Sequence, residues 1–441
     1  MHKLFTCSLP FALVSIAGAG SPIFTNTLGD PGFSGSYVAS FTTHDDGTGE
    51  ALYATGSFNA VGVAGTTNIA KWDGSAWTSV GGGLQNQYSN AMVSFQGDLI
   101  VGGYFDSANS VPGTAKLARF DGTDWNSMDA QMEFFLNSVW DLTVYNDELI
   151  VAGNYVEIGG DSSIQHIASW DGTSYSSLGA PIGGAVPLIV LDVLNADMGS
   201  GDMLFACGRF LSIDGVPANN IAVYDGTSWS ALGDGLTRSS GFAQGFHMAV
   251  FDDGNGPALY VGGSFNRING GTEAVNNIAK WDGTTWSAVG SGFNSAVQEL
   301  VVFDDGSGEA LYALGNFDSS GPNSTPHLAK WNGTEWEAVG AGANDNLLGA
   351  IVFDAGEGEA LHLGGNFSAL DGSASARVGS LLASAVCDAD LTGDGVLDVF
   401  DVFAYLDLFN ASDLAADLTG DGVLDVFDVF AFLDLFNAGC P

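Results

Sequence analysis

Positive charge is what this sequence most lacks. Lys and Arg together number 10 against 51 Asp and Glu, leaving a formal net charge of −41. So few cations cannot be assembled into a basic patch, which excludes nucleic acid and anionic membrane surfaces as electrostatic partners. Beyond residue 20 no segment is long and apolar enough to span a bilayer. Catalytic signatures are missing too: there is no Gly-x-Ser-x-Gly elbow and no phosphate-binding loop. Past the N-terminal segment the histidines are His44, His166, His247, His327 and His362. They fall at differing repeat positions and without H-x-x-x-H spacing, so no residue is singled out as catalytic. A very acidic chain short of apolar residues would be disordered, but 46% hydrophobic and 11% aromatic residues supply a core.

The N-terminus has the form of an export signal over residues 1–19. His2 and Lys3 give a basic start, residues 4–17 are an apolar run, and Ala17-Gly18-Ala19 is a small-residue cleavage site. The expected location is therefore secreted, extracellular or cell-surface associated. Cys7 would be lost with the signal. Of the remaining cysteines, Cys207 sits in an apolar strand as a buried thiol. Cys387 and Cys440 bracket the C-terminal segment and are the expected disulfide pair in an oxidising compartment.

What the chain has in abundance is one repeated unit, clearest at residues 258–290, ALYVGGSFNRINGGTEAVNNIAKWDGTTWSAVG. An apolar strand runs into glycines and an aromatic, then a variable loop, a second strand ending at an Asp-Gly turn, and a third opened by Trp286. The aromatic recurs as Phe58, Phe105, Tyr155, Phe210, Phe265, Phe317 and Phe367. The turn recurs at Asp73-Gly74, Asp121-Gly122, Asp171-Gly172, Asp225-Gly226, Asp282-Gly283 and, as a variant, Asn332-Gly333. With one more apolar strand at its start, each copy reads as four short strands joined by tight turns.

Seven such copies between residues 37 and 386 have a period of about 50 residues, the spacing of propeller blades. A lone four-stranded sheet cannot cover both faces; radial stacking buries them and ring closure protects the edges. The expected fold is mainly β: a seven-bladed propeller over residues 20–386, followed by a small all-α calcium-binding module at 387–441. Trp72, Trp170, Trp281 and Trp331 on third strands, with Trp77, Trp125, Trp229, Trp286 and Trp336 on fourth strands, are expected to pack between blades, sugar-stacking platforms being the alternative. The seventh copy ends near Leu382 with no Asp-Gly turn and no fourth strand. The segment IFTNTL at 23–28 is expected to supply that strand. The Asp-Asp-Gly-x-Gly turns at 45–49, 252–256 and 304–308 could take cations, but hairpin geometry explains them fully.

On LYVGG, the aspartate-glycine turn and the following tryptophan, this region resembles the kelch repeat family. It is similar also to secreted bacterial repeat proteins carrying the NIAKWDGTTW-type segment. The resemblance implies a propeller and leaves the activity open. The tyrosine/cysteine/histidine copper site of kelch-fold oxidases has no counterpart.

Residues 387–441 are a different object. DLTGDGVLDVFDVFAYLDLFNA at 390–411 and DLTGDGVLDVFDVFAFLDLFNA at 417–438 differ only at Tyr405/Phe432. Acidic or hydroxyl side chains stand at loop positions 1, 3, 5, 9 and 12, with glycine at 6, the arrangement of a calcium loop. The expected ligands of one Ca²⁺ are Asp390, Thr392, Asp394, Asp398 and Asp401 with the Val396 carbonyl. Those of a second are Asp417, Thr419, Asp421, Asp425 and Asp428 with the Val423 carbonyl. The segment carries 12 aspartates and no Lys, Arg, Glu or His. Folding it without cations would crowd like charges, so it is expected to be largely unfolded without calcium.

These duplicated loop-plus-helix repeats, with no entering helix and aspartate at position 12, resemble a dockerin. The closing Gly439-Cys440-Pro441 is similar to GC-type dockerin tails. That implies docking to a cohesin-like or cell-envelope protein. The chain departs from the family with threonine at position 3 and with Val399-Phe400 and Val426-Phe427 at positions 10 and 11. Along 399–409 the polar stripe is Asp401, Ala404, Asp407 and Asn410, and the rest is apolar. Such a wide apolar face leaves surface for a partner at Val399, Phe400, Phe403, Val426, Phe427 and Phe430; packing on the propeller's own flank is the other option.

Two functions follow. One is an exported, non-catalytic propeller anchored through a calcium-dependent docking module. The other is a polysaccharide-degrading or carbohydrate-binding component of a cellulosome-like assembly, with a glycan ligand on the propeller and an acid pair of unspecified position.

Overall fold

The computed structural model describes residues 23–26, 28, 32–132, 138–179, 182–184, 188–199, 201–356, 358–383, 389, 391–392, 397–412, 416–419 and 423–438. The export signal and both Cys387 and Cys440 lie outside them. The described residues fall into two units, one spanning Ile23–Asp305 with Glu309–Ala383, the other containing Ser384–Pro441. Each is taken by itself.

The larger unit is a seven-bladed propeller, and strands account for 49% of the chain. Seven four-stranded antiparallel sheets are present. Blade five is representative: Gln244–Asp252, Pro257–Ser264, Ile278–Trp281 and Trp286–Ala288, in that order across the sheet. The first strands of successive blades contact one another in cyclic order, the seventh (Leu347–Asp354) returning to the first (Phe33–Asp45). They therefore line the ring axis.

Each blade is closed by the same local device. The residue before the third strand has a left-handed backbone: Asn68, Lys116, His166, Asn220, Asn277, His327 and Arg377, with φ between 62° and 71°. Its N–H donates to the carbonyl of the repeat aromatic, as from Asn277 to Phe265 at 2.9 Å and from His327 to Phe317 at 2.9 Å. Asparagine tolerates this conformation. At Asn220 it also bridges, accepting from Phe210 N at 3.2 Å and donating to Leu236 O at 2.7 Å in the next connection. His166 and His327 thus share one blade position, contrary to the expectation that all the histidines differ.

The repeat aromatics are all fully buried, and the tryptophans of the third and fourth strands are buried apart from the half-buried Trp281. Fourth-strand tryptophans link neighbouring blades: Trp286 Nε1 donates to Leu232 O at 2.7 Å and Trp336 Nε1 to Val289 O at 3.3 Å. Tyr175 does the same in blade three, its hydroxyl donating to Met128 O at 3.0 Å. These rings are packing elements; the indole N–H is satisfied across blades at Trp77, Trp229, Trp286 and Trp336, whereas Trp125 Nε1 is buried without a hydrogen-bond partner among the described residues.

Strand Ile23–Thr25 is the outer strand of the seventh blade, pairing Ile23 with Leu382, Phe24 with Leu381 and Thr25 with Ser380. Phe24 stands opposite Leu381 as Trp286 stands opposite Trp281. Leu28, also buried, presents its carbonyl to Trp77 Nε1 at 2.7 Å, the same inter-blade link used elsewhere. Arg377 adds bonds to the Gly35 carbonyl at 3.1 and 3.2 Å. N- and C-terminal ends of the ring are therefore tied through one sheet.

The smaller unit holds two helices, α1 (Val399–Asn410) and α2 (Val426–Ala438). Its core is small: Ala389, Tyr405, Ala416 and Phe432, with Tyr405 and Phe432 stacked at 4.3 Å and 6°. The one position at which the copies differ is thus where they meet.

Candidate functional site

The first two Asp-Asp-Gly-x-Gly turns satisfy their own N–H groups. At the first, Asp45 Oδ1 accepts from the N–H groups of Gly47 and Gly49, both at 2.9 Å. Asp46 Oδ2 accepts from Lys71 Nζ at 2.6 Å and from the Tyr53 hydroxyl at 2.9 Å. Lys280–Asp253–Tyr260 and Lys330–Asp305–Tyr312 repeat this triad. Asp253 is held down to about 2 against the cost of its burial, by hydrogen bonds from Lys280, Asn255 and Tyr260 and by the Lys280 charge. Hairpin geometry and lysine pairing account for these turns.

In the smaller unit, loop positions 3, 9 and 12 converge at each helix N-terminus. Asp401 Oδ1 accepts from Thr392 N at 3.0 Å and Thr392 Oγ1 at 2.9 Å, while its Oδ2 accepts from Asp398 N at 2.9 Å. Asp428 repeats this with Thr419 N at 3.0 Å, Thr419 Oγ1 at 2.9 Å and Asp425 N at 2.8 Å. The Asp425 N–H is the main influence holding the Asp428 carboxyl below its ordinary range. Asp398 caps α1 by accepting from Phe400 N at 2.7 Å, completing a capping box with Asp401. Asp398-x-x-Asp401 is a cap signature legible in the sequence, overlooked because both residues already had a role as ligands.

The other expected ligands are placed unevenly. Asp417 accepts from Thr419 Oγ1 at 3.3 Å, and Val423 is described and exposed. Asp390, Asp394, Val396 and Asp421 lie outside the described residues. Among the described residues no three His, Cys, Asp or Glu side chains converge closely enough to ligate a metal. The chemistry of the described donors nonetheless fits a hard cation. They are all oxygens, and Asp401 and Asp428 are carboxylates at 0% exposure in a segment without a cationic side chain.

Helical periodicity alone puts Asp401 on a polar stripe with Asp407 and Asn410; the structure turns it inward. Outside are the apolar residues of the expected partner surface. Val399, Phe400 and Phe403 are 53%, 61% and 55% exposed, and Val426, Phe427 and Phe430 are 53%, 63% and 54% exposed. Leu406 and Leu433 extend the two stripes at 38% each.

A second constellation lies on the ring axis and was not legible beforehand. In every blade the first strand has a β-bulge, and the residues after the bulge in blades three to six are Asp141, Asp192, His247 and Glu299. Ring closure brings them together: His247 Nε2 is 3.3 Å from Glu299 Oε1 and 3.8 Å from Asp192 Oδ1. Asp141 Oδ2 accepts from Val193 N at 2.8 Å and His247 Nδ1 from Leu300 N at 3.3 Å, each reaching into the next blade. The imidazole proton is therefore on Nε2, facing Glu299. Burial pushes Asp141 up to about 6, and burial with carboxylate repulsion raises Asp192 and Glu299 further. Burial lowers His247 to about 4. Burial thus favours the protonated form of the three carboxyls and the neutral form of the imidazole they surround. Aligning the first strands by their bulges would have revealed the column.

No family model matches the sequence, and no curated protein matches it. Among solved structures the chain is similar to the extracellular domain of a candidate one-component system from B. thetaiotaomicron. The two are 10% identical with a TM-score of 0.47, over 79% of this chain and 39% of that one. The chain thus spans about two-fifths of that protein's length. Such a likeness says nothing of activity. No described helix is long and apolar enough to cross a membrane.

Proposed function

We propose that this protein is an exported propeller, without catalytic activity of its own, held at the cell surface or in an extracellular complex by its C-terminal module. That module is a calcium-dependent, dockerin-like docking element whose partner is a cohesin-like or cell-envelope protein. The observation that carries this reading is the pair of helix faces at Val399, Phe400, Phe403 and Val426, Phe427, Phe430, all more than half exposed. Apolar area of that kind is worth about 25 cal/mol per Å² when covered, and it is duplicated on two copies of one sequence. Bound Ca²⁺ would supply the positive charge the acidic loops lack. Asp401 and Asp428 orient the loops by holding positions 3 and 9 through their hydrogen bonds, and Asp398 caps the helix that presents Phe400.

The test is capture from native cell envelopes with the full chain, in calcium and in EDTA. One envelope protein retained in calcium, released by EDTA and lost with Phe400→Asp/Phe427→Asp is the expected result. Capture indifferent to both changes would defeat the proposal.

A second reading, a carbohydrate-binding component of an extracellular assembly, is favoured by a different observation. Two cavities on blades four to six are lined by arginine, asparagine and phenylalanine, with no carboxylate among the described lining residues. A glycan array with the whole protein tests it: retention of any glycan supports this reading, and silence across the array removes it.

A further inference from the structure

The chain has five arginines, and Arg209, Arg238 and Arg267 all come from blades four and five or the connection between them. Their backbones lie at the end of the ring that carries the loops between second and third strands. Arg209 and Arg238 line a cavity of about 260 Å³ with Leu211 and Phe242, which are 52% and 54% exposed. The Arg209 guanidinium lies over the Phe242 ring, 5.3 Å from its centroid. Arg238, which donates to Ser264 Oγ, also lines an adjoining cavity of about 670 Å³ with Asn276 and Asn294. Among the described residues neither lining includes an Asp or Glu, in a chain with 51 of them. The opposite holds for the cavity of about 510 Å³ between blades one and seven, which has Glu50, Asp73 and Asp354 in its wall.

We propose that this cleft binds an acidic oligosaccharide of the uronate class. Arg238 takes a ring carboxylate, since guanidinium matches a carboxylate with two parallel donors, and Arg209 adds positive charge beside Phe242. Phe242 offers an exposed flat face beside them for a pyranose ring. The asparagines supply hydroxyl recognition. Asn276 uses its Nδ2 on Ser291 O at 2.8 Å, and Asn294 uses its Oδ1 on Asp318 N and Ser319 N at 3.0 and 3.2 Å. Among the described residues that leaves the Asn276 Oδ1 acceptor and the Asn294 Nδ2 donor for a ligand. An acidic peptide would satisfy the arginines but has no need of an aromatic platform with an amide donor–acceptor pair beside it. The inference rests on the carbohydrate-binding reading above and is independent of calcium.

Calorimetry on the full chain with trigalacturonate, a neutral galactotriose and hexaglutamate, in EDTA and in calcium, tests it. Trigalacturonate is expected to bind in both buffers, weakening as salt rises, while the other two do not. Arg238→Ala and Phe242→Ala, both at exposed positions, should each weaken it about tenfold or more, with tryptophan fluorescence unchanged as the check on folding. Absence of heat with trigalacturonate, equal binding of hexaglutamate, or unaltered affinity in both variants would overturn the proposal. Binding of galactotriose alone would overturn it too while leaving the broader carbohydrate reading intact.

Discussion

The ring and the C-terminal module are built from the same kind of acidic chain, yet they handle acid and aromatic residues in opposite ways. In the ring, carboxylates at turns are met by lysines and tyrosines, as at Asp46, Asp253 and Asp305, or by the turn's own N–H groups, as at Asp282. Large aromatics are inside: Phe58, Phe265, Phe317 and Trp336 are fully buried. In the module, Asp401 and Asp428 are buried along with Tyr405 and Phe432, while Phe400, Phe403, Phe427 and Phe430 are exposed. Among the described residues the module's core has four fully buried side chains, a small apolar burial to set against the repulsion among its 12 aspartates. The ring meets these turn carboxylates with its own donors and buries its own large aromatics. The module falls short on both counts, and the two deficits point to a cation and to a partner.

The largest effect that could break this comparison is calcium removal. Adding EDTA to the calcium-loaded protein should abolish the helical circular dichroism of the module. Tryptophan fluorescence should hardly change, because all ten tryptophans lie between residues 72 and 336. A module whose spectrum ignores EDTA would be as self-sufficient as the ring. Next in size is deletion of residues 20–30, which removes strand Ile23–Thr25, buried Leu28 and the acceptor of the Trp77 indole. Summing about 2 kcal/mol each for Phe24 and Leu28, with the half-exposed Ile23 left out, and about 1 for the bond gives roughly 5 kcal/mol. A melting midpoint within a degree or two of the native value would show that the ring does not depend on its closing strand.

Trp336→Ala comes third. This fully buried ring also donates to Val289 O, so its loss should cost about 3–5 kcal/mol and be read in denaturant midpoints. The smallest effect concerns the axial cluster and its sign depends on pH. Asp141 holds its proton up to about 6 rather than its ordinary 3.8, so the stability gained from protonation is present in full below 3.8 and lost as pH rises through 6. Asp141→Asn carries no such loss. It should match the native protein near pH 3.5 and exceed it at pH 8 by up to about 3 kcal/mol. His247, lowered to about 4, works the other way, losing its contribution as pH falls from 6.5 towards 4, but it is present in both proteins. A difference that does not grow between pH 4 and 8 would show that Asp141 is as well solvated as a surface turn residue.

Much of the ring was legible in advance because each copy states its own local chemistry. Asp282-Gly283 must turn, with Gly283 at φ 94°, and Ile278–Trp281 must be an extended buried strand whatever lies around it. In the missing fourth strand of copy seven and the unassigned IFTNTL, the sequence even contained the two halves of the closing sheet. The axial cluster was not legible. Asp141, Asp192, His247 and Glu299 are separated by about 50 residues each and share no motif. Only the bulge register of four first strands puts them in one column. Asp401 was misjudged for a related reason: helical period assigns residues to faces, but not which face is turned inward.

Periodicity, turn residues and the duplicated acidic loops are properties of short stretches, and backbone sterics with side-chain oxygen chemistry read them without reference to the rest of the molecule. Seven blades and a small C-terminal region of two helices therefore followed from residue order alone. Which carboxylates lose water, which histidine stays neutral and which arginines share a cleft depend on desolvation by neighbours far away in the chain. Those neighbours exist only once the ring has closed, so tertiary structure alone could decide them.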